Sequence, residues 1–222
     1  MRTIIPSPNL LLVEGATEKR LIPELMEQRG VSWVNGDNTF AVNIISYGGI
    51  SNMLAPGELE TALKTSRLKA VGIIFDADGL HEDGSSRWKS MRDRCANIGV
   101  QLPAQPEPEG FIASHTTAGV RFGVWMMPDN SARGMLETFL LRLIPDQNDP
   151  LYKFASTTVE KAKELGAPFR PVHEHKATIH SWLAWQDAPG AQLHEAVKFK
   201  ILNAGSGDAD LFVNWFRNLF QV

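Results

Sequence analysis

The chain has 222 residues, 43% of them hydrophobic and 21% charged, with 18 glycines and 13 prolines, a composition that excludes disordered and fibrous proteins and supports a core without covalent staples. The net charge of −3 is not that of a simple basic DNA-coating protein. The single cysteine, Cys95, excludes an intrachain disulfide and a cysteine-based zinc cluster and points to a reducing compartment.

No apolar run approaches the ~18–20 residues of a membrane span. The first residues lack the apolar region and small-residue cleavage site of a secretory signal. The expectation is a cytoplasmic protein with no membrane partner.

In chain order, Leu10–Val13 is a short apolar run that stops at Glu14-Gly15, which predicts a buried strand feeding a turn. Thr17–Arg29 carries Leu21, Ile22, Leu25 and Met26 on one helical face and stops at Gly30. Phe40–Ile45 reads as a second strand, followed by Tyr47-Gly48-Gly49. Ser51 is a candidate cap for a helix to Thr65, interrupted by Pro56 and Gly57. Val71–Phe75 is a third strand, and its unbroken apolar character suits a parallel sheet covered on both faces. It ends in Asp76-Ala77-Asp78-Gly79, where the glycine permits a turn.

A helix is expected over Asp83–Asn97, then a proline-rich loop over Gln101–Gly110. Phe111–His115 and Val120–Met127 read as two strands about a turn, and Gly134–Leu143 as a helix after a Pro128–Ser131 turn and cap. Beyond Pro150 no strand is apparent, and helices are expected at 151–165, 176–186, 190–199 and 208–219. Alternating strands and helices predict an α/β fold with a mostly parallel sheet over residues 1–150 and a helical C-terminal extension over 151–222 packed on it.

Acids stand where these strands end: Glu14 with Glu18 four residues on, Asp76 with Asp78, and Asp129 with Glu137 eight residues later. In open α/β sheets ligands bind beyond the carboxyl ends of the strands, so these distant acids can converge. Crowded carboxylates repel, and a hard divalent cation, Mg²⁺ or Mn²⁺ rather than Zn²⁺, is their usual neutraliser. Gly15 removes a side chain where backbone, metal or phosphate must approach.

Val13-Glu14-Gly15-Ala16-Thr17-Glu18 resembles the Toprim glutamate motif, and Ile74-Phe75-Asp76-Ala77-Asp78 resembles its DxD motif, in the right order and about 60 residues apart. Met127-Pro128-Asp129-Asn130 through Gly134-Met135-Leu136-Glu137 is similar to the third acidic segment of small Toprim-like proteins of the DUF3226 and DUF4435 groups, near the OLD-family nucleases. Lys176-Ala177 and Trp182–Asp187 resemble their C-terminal segment, so the likeness spans Leu10 to Asp187. It implies a Toprim-like three-layer α/β/α fold and a Mg²⁺- or Mn²⁺-dependent nuclease.

On that resemblance, Asp76 and Asp78 hold metal, and Glu14 is a ligand or a general acid/base. Glu18 and Glu137 complete a second site, and Lys176 stabilises the charged phosphoryl state. Asp129 is a further ligand or a helix cap, with Asn130 and Ser131 as rivals for that cap. The implied partners are a nucleic acid, DNA ahead of RNA, and a separately encoded ATPase, since no GxxxxGK[ST] motif occurs here; a homodimer is left open.

Setting aside those six acids leaves 19 against 22 bases, so a phosphate polymer is a tolerable partner. Arg87, Lys89 and Arg92 are the candidate nucleic-acid contacts, with Arg94 beside them and Trp88 available to stack on a base. The plainer reading of that run is a solvated helix face. Gly48-Gly49 is an anion grip or a plain turn, and the spacing of His173, His175 and His180 does not suit zinc. The six tryptophans read most simply as packing. Two rivals to the nuclease reading remain: a non-catalytic Toprim-fold module binding a partner protein or nucleotide, and a metal-dependent hydrolase of a small phosphorylated metabolite.

Overall fold

A computed structural model describes residues 7–36, 39–78, 86–115 and 119–222. Among these residues, five strands form one sheet: β1 (Asn9–Val13), β2 (Asn43–Ser46), β3 (Ala70–Asp76), β4 (Phe111–His115) and β5 (Val120–Met127). Their order across the sheet is β2-β1-β3-β5-β4. The pairings β1–β2, β1–β3 and β3–β5 are parallel, and β4 runs antiparallel to β5 at one edge.

The central strands are buried on both faces, as their unbroken apolar runs require. In β1, Leu11 and Val13 join one core cluster while Leu10 and Leu12 join the other. Helices α2 (Ile50–Met53), α3 (Glu58–Leu63) and α4 (Arg87–Ala96) cover one face through Met53, Leu59 and Met91. The other face is covered by α1 (Ala16–Gln28), α5 (Leu136–Leu141), α6 (Pro150–Glu164), α7 (Glu174–Leu183), α8 (Leu193–Lys198) and α9 (Asp210–Phe220). The chain is thus a mixed α/β fold whose C-terminal helices belong to the same core as the sheet.

Helix α9 lies over a floor made by two glycines. Gly72 of β3 and Gly123 of β5 are register partners, and a Cβ on either would fall within 3 Å of Leu219. Removing both side chains lets an apolar helix rest on the sheet itself. Cys95 is wholly buried, and burial pushes its thiol up to about 12.

The structure departs from expectation in local detail. The second strand begins at Asn43 because the preceding chain folds back on itself: Ala41 N donates to Trp33 O at 2.8 Å, and Phe40 is bridged to Val34. The helix expected from Ser51 to Thr65 is two short helices, α2 and α3, separated at residues 54–57, and Gly49 rather than Ser51 occupies the first cap position. The fourth helix starts at Arg87, capped by the Ser86 side chain accepting from Lys89 N; residues 83–85 and Gly79, which entered the sequence reading, lie outside the described residues. The helix expected from Gly134 begins at Leu136, because the Gly134 carbonyl is taken by Asp78 N at 2.8 Å. Among the described residues, no helix is long and apolar enough to cross a membrane.

Candidate metal centre

Parallel strands β1, β3 and β5 end at one edge of the sheet, and the chain turns there. Glu14 follows β1, Asp76 closes β3, Asp78 lies two residues on, and Glu137 enters from the start of α5. Glu14, Glu18, Asp76, Glu137 and Lys176 line one cavity of about 350 Å³, together with Thr17, Gly48 and Gly49.

Each acid is held by a local device. Gly15 leads into α1, and a Cβ there would lie 2.8 Å from Glu18 Oε2. The close approach admitted by this glycine is therefore that of Glu18's own carboxyl group, which folds back over the helix start. Asp76 Oδ1 accepts from Leu136 N at 2.8 Å, tying β3 to α5. Asp78 adopts a left-handed conformation (φ 43°), and its amide bonds Gly134, so the turn is carried at Asp78 itself. Glu14 Oε2 accepts from Asp76 N at 3.3 Å and from Arg87 at 2.8 Å.

Electrostatics follow from this crowding. Burial pushes Glu18 up to about 6, reinforced by the charges of Glu14 and Glu137 and opposed by its backbone hydrogen bond and by Lys176. Asp76 is held well above the ordinary carboxylate range, first by desolvation and then by Glu18, Glu14, Glu137 and Asp78. Lys176 Nζ lies 2.8 Å from Glu137 Oε1. Burial lowers its pKa, but Glu137, Asp76 and Glu18 more than offset this and leave it raised.

Arg87 stands apart from the basic run in which the sequence places it. Its guanidinium is only 15% exposed and joins Glu14 (2.8 Å) to Asp78 (2.5 Å), with Asp76 O accepting at 3.3 Å. It is a counter-ion of the acid cup rather than part of a solvated helix face. Lys89 is exposed and pairs with Asp93, Arg92 donates to Ala104 O, and Arg94 pairs with Glu60. Trp88, considered as a base-stacking surface, is buried instead: it stacks on Phe75, and its Nε1 donates to Pro103 O.

Asp129 also lies outside the cup. Its Oδ1 accepts from Ser131 N, Ser131 Oγ and Ala132 N, and its Oδ2 meets Arg142 at 2.7 Å. Burial raises its pKa, but these donors outweigh that and hold it down at about 2. It pins a turn and does not line the cup; α5 begins seven residues later, with Met135 at the cap position, so the helix-cap expectation does not describe it. Asn130 likewise serves the turn, accepting from Met126 N. His175 bonds Thr138 Oγ1 and His173 lies against Arg170.

A hard divalent cation fits the donor set of the cup. Among the described residues, five carboxyl groups face two cationic side chains, two of the acids carry raised pKa values, and Asp78 Oδ1 is buried without a hydrogen-bond partner. Among the described residues, however, no three acidic, histidine or cysteine side chains are already drawn around a single ion-sized point. The Arg87 and Lys176 pairings hold part of the set apart. Thr17, Gly48 and Gly49 also line the cup; the sequence offered the glycine pair as a turn or anion grip and gave Thr17 no role of its own within the Val13–Glu18 motif.

No curated protein matches the chain. Among solved structures it is similar to the C-terminal region of the Xanthomonas campestris pv. campestris OLD protein, at 16% identity and TM-score 0.32, covering 94% of this chain and 84% of that one. It is similar also to the C-terminal region of the Burkholderia pseudomallei OLD protein, at 14% identity and TM-score 0.34, covering 94% and 87%. The family DUF3226, described as "Protein of unknown function", matches residues 8–221, and with nearly the whole length matched the chain belongs to that family.

Proposed function

We propose that this chain is a Toprim-like, Mg²⁺- or Mn²⁺-dependent nuclease acting on nucleic-acid phosphodiesters, DNA ahead of RNA. The observation that carries the reading is the gathering of Glu14, Glu18, Asp76 and Glu137 around one cavity, with Asp78 tied to its wall through Arg87. Such a set is costly to bury unless a multivalent cation joins it.

In this reading Glu14, Asp76 and Asp78 hold one cation, and Glu18 and Glu137 contribute to a second. The bound ions supply charge neutralisation and Lewis acidity at the phosphodiester. Lys176, half-exposed at the rim beside Glu137, meets a phosphate oxygen and stabilises charge building on it. Arg87, which pairs Glu14 with Asp78, would be placed to meet a substrate phosphate if those carboxylates were engaged by metal. Incubation of plasmid, linear duplex, single-stranded DNA and RNA with Mg²⁺, Mn²⁺ or a chelator tests this. Metal-dependent cleavage abolished by Asp76→Ala and by Glu14→Ala is expected, whereas cleavage surviving both substitutions removes the assignment.

A second reading is a non-catalytic module that binds a partner protein or nucleotide. It is favoured by one observation, the internal pairing of Glu14 and Asp78 by Arg87 and of Glu137 by Lys176. It predicts no cleavage with any substrate and no stabilisation by divalent cations.

A further inference from the structure

A second cavity, of about 450 Å³, opens on the far side of the Asp78–Arg87 pair. That volume lies within the ~300–1,000 Å³ typical of small-molecule pockets. Its apolar lining comes from Met126, Trp88 and Pro106. Its polar lining includes Gln105 and Arg133, both exposed and both without a hydrogen-bond or ion-pair partner among the described residues. Arg133 also borders a neighbouring hollow lined by Asp78 and Glu174, and among the described residues it forms an ion pair with neither.

We infer that this cavity is a nucleotide pocket that seats one nucleoside unit next to the phosphodiester presented to the cup, with Arg133 holding the adjoining phosphate. The inference rests on the proposed nuclease reading and names the substrate contact that reading leaves open. Three features select a nucleotide over a simple anion. Partly exposed Pro106, with what little of Trp88 (3%) and Met126 (7%) reaches the surface, offers a heterocycle an apolar wall. The Gln105 amide both donates and accepts, which suits the hydrogen-bonding edge of a base. The Arg133 fork suits phosphate oxygens, and among the described residues no carboxylate is paired with it. The pocket also meets the cup at Asp78 and Arg87, the place where a base and its phosphate must part ways.

The test is calorimetric titration of the full chain with deoxyadenosine monophosphate, with deoxyadenosine and inorganic phosphate as separate probes. Gln105→Trp fills the cavity from its rim and Arg133→Ala removes the anchor. Both positions are exposed, and circular dichroism verifies that each variant folds. The expected result is monophosphate binding that exceeds that of either fragment, weakened about tenfold or more in each variant. No monophosphate binding, phosphate binding as tight as the monophosphate, or unchanged binding in Gln105→Trp overturns the inference. Monophosphate binding lost in both variants without DNA cleavage leaves the pocket standing and the nuclease reading fallen. Cleavage of a short oligonucleotide with an unaltered KM in Gln105→Trp does the reverse.

Discussion

Arg87 donates to Glu14 across 2.8 Å although 73 residues separate them in sequence, and the same guanidinium reaches Asp78 at 2.5 Å. Both carboxylates and the guanidinium are less than a fifth exposed, so the pairing is screened little by solvent. This one side chain does for the metal-free cup what a cation is proposed to do for the loaded one.

Replacing Arg87 with glutamine therefore leaves Glu14 and Asp78 facing each other without a counter-ion. A loss of about 1–3 kcal/mol is expected without divalent ions. Mg²⁺ or Mn²⁺ should recover more stability in Arg87→Gln than in the unsubstituted chain, because the ion then displaces no resident cation. Thermal melts with and without each metal measure both effects; an equal metal response in the two chains removes the idea that Arg87 and metal compete.

Gly15→Ala separates the cup from the fold. The backbone there is extended (φ −123°, ψ 170°) and tolerates alanine, while the new Cβ would meet only the flexible end of Glu18 at 2.8 Å. The expected outcome is a melting temperature changed by only a few degrees, with divalent-ion affinity falling about tenfold as Glu18 is pushed aside. Metal titration of the two chains checks it, and undiminished affinity excludes Glu18 from the metal set.

The raised acids set a pH dependence. Glu18 titrates at about 6 in the folded chain against 4.5 for the free group, so the folded state holds more protons between those values and stability falls as pH rises through that window. Glu18 alone accounts for a loss on the order of 2 kcal/mol, and Asp76, shifted in the same direction, adds to it. Below about pH 4.5 the penalty is absent. Melting curves recorded from pH 4 to 8 in chelator should show the decline, and Glu18→Gln should reduce it, leaving the part that Asp76 carries. A cation that demands ionised ligands reverses the trend, so metal affinity should climb across the same window.

How much of this was legible in the sequence depends on the range of the interactions. Strands β4 and β5 are where the turn-bounded apolar runs put them, and the four C-terminal helices follow their apolar spacing closely. The convergence of Glu14, Glu18, Asp76 and Glu137 on one cavity was legible because each sits at or just beyond a strand end or in a helix's first turn, and parallel strands bring such ends together. Arg87 and Trp88 were read less well. Both belong to a helix whose local pattern is basic and amphipathic, and only the tertiary fold sends Arg87 into the cup and Trp88 onto Phe75. Gly72 and Gly123 carry no sequence signal of their own; their meaning is a register partnership beneath Leu219. Arg133 and Gln105 sit in loops where periodicity is silent, and their interest comes from what they fail to touch.

Asp129 offers the sharpest division between a structural and a metal-binding acid. Its carboxylate is satisfied by Ser131, Ala132 and Arg142 and does not line the cup. Since these donors hold its pKa at about 2, below the free value of 3.8, the stability it contributes is present above about pH 4 and is lost as pH falls toward 2. Asp129→Ala should therefore cost about 1–2 kcal/mol at neutral pH, through a turn left with unpaired amides and an unpaired Arg142, while leaving the affinity for Mg²⁺ or Mn²⁺ unchanged. Asp76→Ala should act in the opposite sense on the metal, abolishing its affinity, while it both relieves repulsion among the remaining acids and frees Leu136 N. Paired melting and metal titrations on the two variants give the comparison, and a loss of metal affinity in Asp129→Ala would return this residue to the ligand set.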